Sequence, residues 1–272
     1  VVSLPEHAIA ERLLYRLIKK NIAGTTMSSA IEKAKELNDK RIAASISFLS
    51  NSAADSTKAR YATTTYLELI RRIARLGLKA SVQVPLSQVG SSISGSIVAK
   101  NVKDIVGTAN NYGVFVWLET NGGARYAPSF LKNAKGIGYA VSIRESEKYL
   151  NGKGYRTNAL KILCSERSDE DEGKHADIFE KLKKVADNMG NTVLQSVPES
   201  TLRKLLNGSK LKKSLVFEFQ LGYSNKKINE VVKKGARTSV YVPFGKDWER
   251  YAVNRAPGRY AHFLATKILK EG

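Results

Sequence analysis

Residues 114–118 read Val-Phe-Val-Trp-Leu, and the same kind of run returns at 160–164 (Leu-Lys-Ile-Leu-Cys) and 238–242 (Thr-Ser-Val-Tyr-Val). Each is short, rich in β-branched or aromatic residues, and almost continuously apolar. A strand with one wet face alternates; a strand covered on both faces does not, and that is the pattern of a parallel sheet clothed by helices. Working outward, eight such segments emerge: Ile42–Phe48, Lys79–Val84, Val114–Leu118, Ile137–Ile143, Leu160–Cys164, Thr192–Gln195, Ser214–Phe219 and Arg237–Val242.

Between them the period becomes helical. Tyr66, Leu67, Leu69, Ile70, Ile73 and Leu76 form one apolar stripe. Ile178, Phe179, Leu182, Val185 and Met189 form a second, and Ile228, Val231 and Val232 a shorter third. The link Glu145–Leu150 is short and predicts a broken helix. Two helices precede the first strand, Pro5–Lys20 and Met27–Leu37, the latter with Thr25-Thr26 and Ser28-Ser29 as capping candidates. Residues 21–24 read as a hinge, and a last helix is predicted over Arg259–Lys270. The chain has 272 residues, and eight β/α units need about 250. The expectation is therefore an α/β fold: a single (β/α)8 TIM-like barrel over 41–272 with an N-terminal helical arm over 1–40. A doubly wound open sheet is the alternative.

Composition bounds the function. Hydrophobic residues make up 42% and charged residues 26%, an ordinary globular balance. No apolar stretch approaches the ~20 residues of a membrane span. The amphipathic start, with acids inside it, does not read as a signal peptide. One cysteine, Cys164, leaves no internal disulfide and no thiolate metal cage, so a cytoplasmic, reducing location is the default. His7, His175 and His262 lack metal-ligand spacing, and no metal is expected.

The formal charge is +20, from 45 Lys+Arg against 25 Asp+Glu. Its plain meaning is solubility; its sharper meaning is attraction to a polyanion. The longest cationic runs are pairs such as Lys19-Lys20, so the charge sits on folded surface. On a barrel, helix-to-strand links share the N-terminal face, and six of the eight are basic. Before the first and second strands stand Lys40, Arg41 and Lys79; before the fourth and fifth, Lys132, Lys135, Lys153 and Arg156; before the seventh and eighth, Lys210, Lys212, Lys213, Lys233, Lys234 and Arg237. These cations are the candidate nucleic-acid contacts, reaching phosphates without reading bases.

Three stretches carry a family resemblance. AGTTMSSAIEKAKELNDKRIAASISFLS with YLELIRRIARLGLKASVQVPLSQVG lies within Ile22–Gly90, VFEFQLG is Val216–Gly222, and VYVPFGKDWERYAVNR is Val240–Arg255. Together they resemble the proline dehydrogenase family, flavoenzymes built on a distorted (β/α)8 barrel. The resemblance implies an FAD site at the C-terminal ends of the strands. It places Tyr241 beside the substrate, Arg255 on the proline carboxylate, Glu119 at the family's aspartate after strand three, and Lys161 at its flavin-facing arginine.

The chain also departs from the family pattern. Asn254 stands for the first of two carboxylate-binding arginines, and an amide cannot replace a guanidinium there. Pro85 stands for a lysine, Cys164 for another, Ser165 for a glycine and Val197 for a histidine; Ala256-Pro257-Gly258 replaces a turn carrying an acid. With those losses, the leading expectation is a non-catalytic, proline-dehydrogenase-like barrel. It would hold no cofactor and bind structured RNA, on the ribosome for example, through its basic face. The alternative is an FAD-dependent proline dehydrogenase that oxidises L-proline to pyrroline-5-carboxylate with Glu119, Lys161, Tyr241 and Arg255. A third possibility is a pocket altered for another small molecule.

Overall fold

Eight parallel strands close into a barrel in chain order: β1 Ala43–Phe48, β2 Ala80–Pro85, β3 Val116–Glu119, β4 Ile137–Ser142, β5 Ala159–Leu163, β6 Asn191–Gln195, β7 Leu215–Gln220 and β8 Arg237–Phe244. The ring shuts where β1 pairs with β8, Ala43 opposite Ser239 and Phe48 opposite Phe244. The structure is a computed structural model that describes residues 19–120, 136–142, 145–146, 159–164, 191–207, 215–248 and 251. All eight expected segments are strands. Two of them, expected to stop at Val84 and Val242, run on through Pro85 and Pro243. A proline lacks only the donor; the Pro243 carbonyl still accepts from Ala23 N at 2.8 Å.

The described helices are α1 Met27–Asp39, α2 Ser56–Arg75, α3 Gly95–Tyr112, α4 Glu199–Asn207 and α5 Asn225–Lys233. Side chains cap three of them: Thr26 accepts from Ser29 N, Asp55 from Lys58 N and Ser94 from Ile97 N. The α2 stripe is buried at Tyr66, Leu69, Ile70 and Ile73, whereas Leu76 is exposed because the helix ends before it and it serves as the C-cap. Outward-facing strand residues such as Ile46, Val82, Leu118 and Val242 pack against these stripes as the main core. The helices expected at Pro5–Lys20 and Arg259–Lys270, and the 178–189 stripe, lie outside the described residues.

Residues 21–24 are not a hinge. Asn21 Nδ2 donates to Leu221 O at 3.0 Å, and Gly245 N donates to Gly24 O at 3.1 Å. Ile22 is buried with Leu49 and Trp248. The chain is thus stitched to the C-terminal rim before α1 descends against β1 and β8, burying Ala30, Ile31 and Ala34. The rim is tight: a Cβ on Gly245, whose φ is +145°, would stand 2.3 Å from Leu49 O.

Candidate functional site

Strand residues alternate between the helix layer and the barrel interior. The register places Gln83 beside Trp117, Ala140 beside Lys161, and Glu218 between Gln195 and Ser239. The interior therefore has two sides. Along β3 to β6 it is apolar: Trp117, Ala140, Ala159 and Val193 form a buried cluster flanked by Phe115, Leu163 and Val216. Gly138 makes room for the Trp117 ring, since a Cβ there would lie 2.5 Å from Cζ3. Along β7, β8, β1 and β2 the interior is polar.

Lys161 bridges the two sides. It leaves β5, passes the Trp117 ring with Nζ 5.1 Å from the centroid, and is fully buried. Its Nζ donates to Ser45 Oγ on β1, Gln83 Oε1 on β2 and Glu218 Oε1 on β7, each at 2.9 Å. Three acceptors about one nitrogen are what an ammonium needs. Burial pulls its pKa below the ordinary lysine value, and the Glu218 carboxylate pulls it partly back. Glu218 is satisfied in turn: Gln195 Nε2 donates to Oε1 at 2.8 Å, and Ser239 Oγ to Oε2 at 3.1 Å.

Gln83 carries this network upward. With its oxygen held by Lys161, its Nε2 donates to Glu119 Oε2 at 2.7 Å. Glu119 ends β3 and is half-buried, as are Pro85, Ser142 and Leu163 at the ends of β2, β4 and β5. On the opposite arc, Gln195, Gln220 and Tyr241 are buried, and Tyr251 donates to Gln220 Oε1 at 3.3 Å. The described mouth thus opens over β2–β5 and is closed over β6–β8. Burial, with Glu119 nearby, pushes the Tyr241 phenol well above its ordinary pKa, which keeps it a neutral donor. Tyr66 is likewise raised by burial, and its hydroxyl donates to Gln88 Oε1 at 2.7 Å. Gln88 also clamps the end of β1 through Phe48 O and Ser50 O, which gives the Ser-Gln-Val-Gly motif its structural meaning. Ser196, just past β6, sits at φ 57° in the left-handed region, and its Oγ accepts from Gln220 Nε2 at 2.8 Å.

Of the four residues expected at a catalytic site, the structure brings together Glu119, Lys161 and Tyr241; Arg255 lies outside the described residues. Lys161 does not stand free at the mouth as a flavin-facing cation: Glu218, Gln83 and Ser45 take its hydrogens inside the barrel. The sequence reading gave no role to Gln83, Gln195, Glu218, Ser45 and Ser239. Nor did it assign Glu145, which receives hydrogen bonds from Ser142 N and Oγ at the end of β4. Of the expected nucleic-acid contacts, Lys40, Arg41, Lys79, Lys233, Lys234 and Arg237 are exposed at the N-terminal ends of β1, β2 and β8. Lys132, Lys135, Lys153, Arg156, Lys210, Lys212 and Lys213 lie outside the described residues. Among the described residues, no His/Cys/Asp/Glu group could hold a metal, and no helix is long and apolar enough to cross a membrane. Cys164 is a buried thiol outside any disulfide, and its Sγ donates to Ile162 O at 3.8 Å.

No family model matches the chain. Its sequence is similar to proline dehydrogenase 1 of Bacillus subtilis, 23% identical over 278 residues that cover 93% of this chain and 91% of that protein. It is 22% identical over 290 residues to proline dehydrogenase of Deinococcus radiodurans, covering 96% and 93% of the two chains. Among solved structures, the fold matches proline utilization A from Bdellovibrio bacteriovorus, inactivated by N-propargylglycine, with a TM-score of 0.71 and 16% identity. That match takes in 93% of this chain but only a third (33%) of the larger protein. These likenesses overturn the expectation of a non-catalytic barrel that binds RNA or the ribosome. The two sequence relatives are named for an oxidation, and they match nearly end to end. None of the three proteins is named for nucleic-acid binding. The basic face alone, with no recognition motif behind it, does not carry that function.

Proposed function

We propose that this chain, similar to the proline dehydrogenases above at 22% to 23% identity, is an FAD-dependent proline dehydrogenase oxidising L-proline to pyrroline-5-carboxylate. The observation that carries the reading is the extent of the sequence relation, which takes in 93% of this chain and 91% of the Bacillus enzyme. It includes every strand and hence the whole mouth where barrel enzymes do their chemistry.

The described residues suit the ring system of a flavin. A flat heterocycle with an amide-like edge needs neutral donors and acceptors; the amides of Gln195 and Gln220 carry two hydrogens each, of which Glu218 and Ser196 take one apiece, and Ser196 adds a hydroxyl. The diphosphate partner is not Lys161, whose hydrogens are committed inside the barrel. Bound there, FAD would accept the two electrons.

The chain's own residues serve the substrate. Oxidation of proline removes a hydride from C5 and a proton from nitrogen, leaving a C=N bond. Glu119 is a carboxylate at the open arc, suited to hold the substrate ammonium and to take a proton as nitrogen loses its positive charge. Tyr241, held neutral, donates a hydrogen bond and does not act as a base. The family resemblance gives the substrate carboxylate to Arg255. Among the described residues, Lys161 and Glu218 pair with each other inside the barrel, and Glu119 and Glu145 are the carboxylates at the end of β3 and beside β4.

The test is a visible spectrum of the purified protein after incubation with FAD, followed by proline-dependent reduction of an artificial electron acceptor. Retained yellow colour and proline-dependent turnover are expected. Glu119→Gln is expected to raise KM for proline at least tenfold while colour is retained. A protein that stays colourless in excess FAD and reduces nothing with proline would sink the reading.

A further inference from the structure

We propose that Lys161 is a positioning residue that sets the Glu119 carboxylate through Gln83, rather than a cation that meets cofactor or substrate. Its role as positioner of a reacting group rests on the proposed function; the linkage itself does not.

The argument is one of directed hydrogen bonds. An amide has a donor end and an acceptor end, which differ in chemistry but barely in shape. Gln83 is 2% exposed and lies between an ammonium and a carboxylate. The ammonium can only donate, so it takes Gln83 Oε1, at 2.9 Å. That choice leaves Nε2 for Glu119 Oε2, at 2.7 Å. If Lys161 were apolar, the buried Gln83 Oε1 would lose its donor, and the amide would be drawn away from its place beneath Glu119 to satisfy it. Lys161 is itself fixed by Ser45 and Glu218 and stacked beside Trp117. One hydrogen bond to a mouth carboxylate is thus fixed by a residue sealed beneath it. This also explains how a lysine can occupy a buried position without offering its charge to a ligand: Glu218 neutralises it, and its remaining function is directional.

The test is titration of Glu119 in the full-length protein by the carboxyl carbon resonances of labelled glutamate. The Glu119 signal is assigned by its loss in Glu119→Gln. Among the described residues, the charged or titratable neighbours are Lys161 and Glu218 below, Tyr241 on β8 and Tyr66 on α2, with Glu145 at the adjacent strand end; every other charged residue of the chain is kept in the Gln83, Lys161 and Glu218 variants. Gln83→Leu cuts the link and is expected to move the Glu119 midpoint upward, because an ionised carboxylate loses a donor. The paired variant Lys161→Met/Glu218→Gln removes a positive and a negative charge together, so its direct field at Glu119 is small. An upward shift in that variant therefore reports an amide displaced from Glu119 once its oxygen has lost its donor. The triple variant is expected to shift no further than Gln83→Leu alone. An unmoved midpoint in the paired variant, or shifts that simply add, would overturn the proposal. In the unaltered protein, the Gln83 side-chain amide protons are expected to follow the Glu119 titration, and amide protons that ignore it would overturn the proposal even if the paired variant does not fold. Neither readout needs flavin or proline, so absence of turnover bears on the proposed function alone.

Discussion

The two sides of the barrel interior fill the same kind of space by opposite means. From β3 to β6, Trp117, Ala140, Ala159 and Val193 pack as an apolar cluster with no directional demand. From the end of β6 through β7, β8 and β1 to β2, Gln195, Glu218, Ser239, Ser45 and Gln83 form a hydrogen-bonded network closed by Lys161 from β5. Apolar packing tolerates exchange if volume is kept. A buried polar network does not, because each member satisfies another and a missing partner strands a charge. The apolar side gives stability, and the polar side gives a defined geometry to the mouth above it.

The largest effects should separate the two sides by how they are rescued. Trp117→Ala opens a cavity and is expected to cost about 3–5 kcal/mol. Lys161→Met leaves Glu218 charged, buried and unpaired, and a similar loss of about 3–5 kcal/mol is expected. Adding Glu218→Gln should restore most of the stability lost in Lys161→Met and none of that lost in Trp117→Ala. Denaturant unfolding of the four proteins would measure this. Equal rescue of both would mean that the polar side is merely another packing surface.

Alkaline unfolding tests the boundary where the network meets the mouth. Tyr66 and Tyr241 are buried phenols whose pKa burial raises above the ordinary 10.0. In the unfolded chain they ionise at about 10. Above that pH the unfolded chain binds fewer protons than the folded one, so the stability they contribute is intact below pH 10 and lost as pH rises beyond it. Phenolate absorbance from these two should appear together with loss of circular dichroism. Tyr241→Phe and Tyr66→Phe should each make the fall shallower. Ionisation of both in the still-folded barrel would contradict the burial of these two phenols.

The fold was legible because a parallel barrel buries its strands under helices, and Val114–Leu118 and Leu160–Cys164 are short, nearly continuous apolar runs of the kind such strands require. What the apolar runs concealed is that their interruptions share one interior. Ser45, Gln83, Lys161, Glu218 and Ser239 fall at alternating positions that face inward, and polar residues at such positions are a readable signal. Which of them meet is not readable: Lys161 and Glu218 are 57 residues apart, and only closure of the ring joins them. Resemblance placed Lys161 at a flavin-facing site, and the neighbouring carboxylate moved its charge out of reach. The surface charge misled for the opposite reason. Lysines before β1, β2 and β8 are easily counted, but a count of exposed cations does not distinguish a partner from solvent.

The smallest expected effect falls within the polar side and asks how redundant it is. Ser239 Oγ donates to Glu218 Oε2 at 3.1 Å, but that carboxylate also holds Lys161 and Gln195. Ser239→Ala removes one neutral donor and leaves no charge unpaired, so about 1 kcal/mol is expected, far below the loss from Lys161→Met. Val193→Ala, on the apolar side and 5% exposed, deletes two methyl groups and is expected to cost about 1–2 kcal/mol, or ~0.8 per buried carbon. If Ser239→Ala proved the costlier of the two, the network would lack redundancy, and Glu218 would depend on every donor it has. The reverse order, measured by denaturant midpoint, would show that Lys161 and Gln195 hold that carboxylate and that Ser239 only completes its shell.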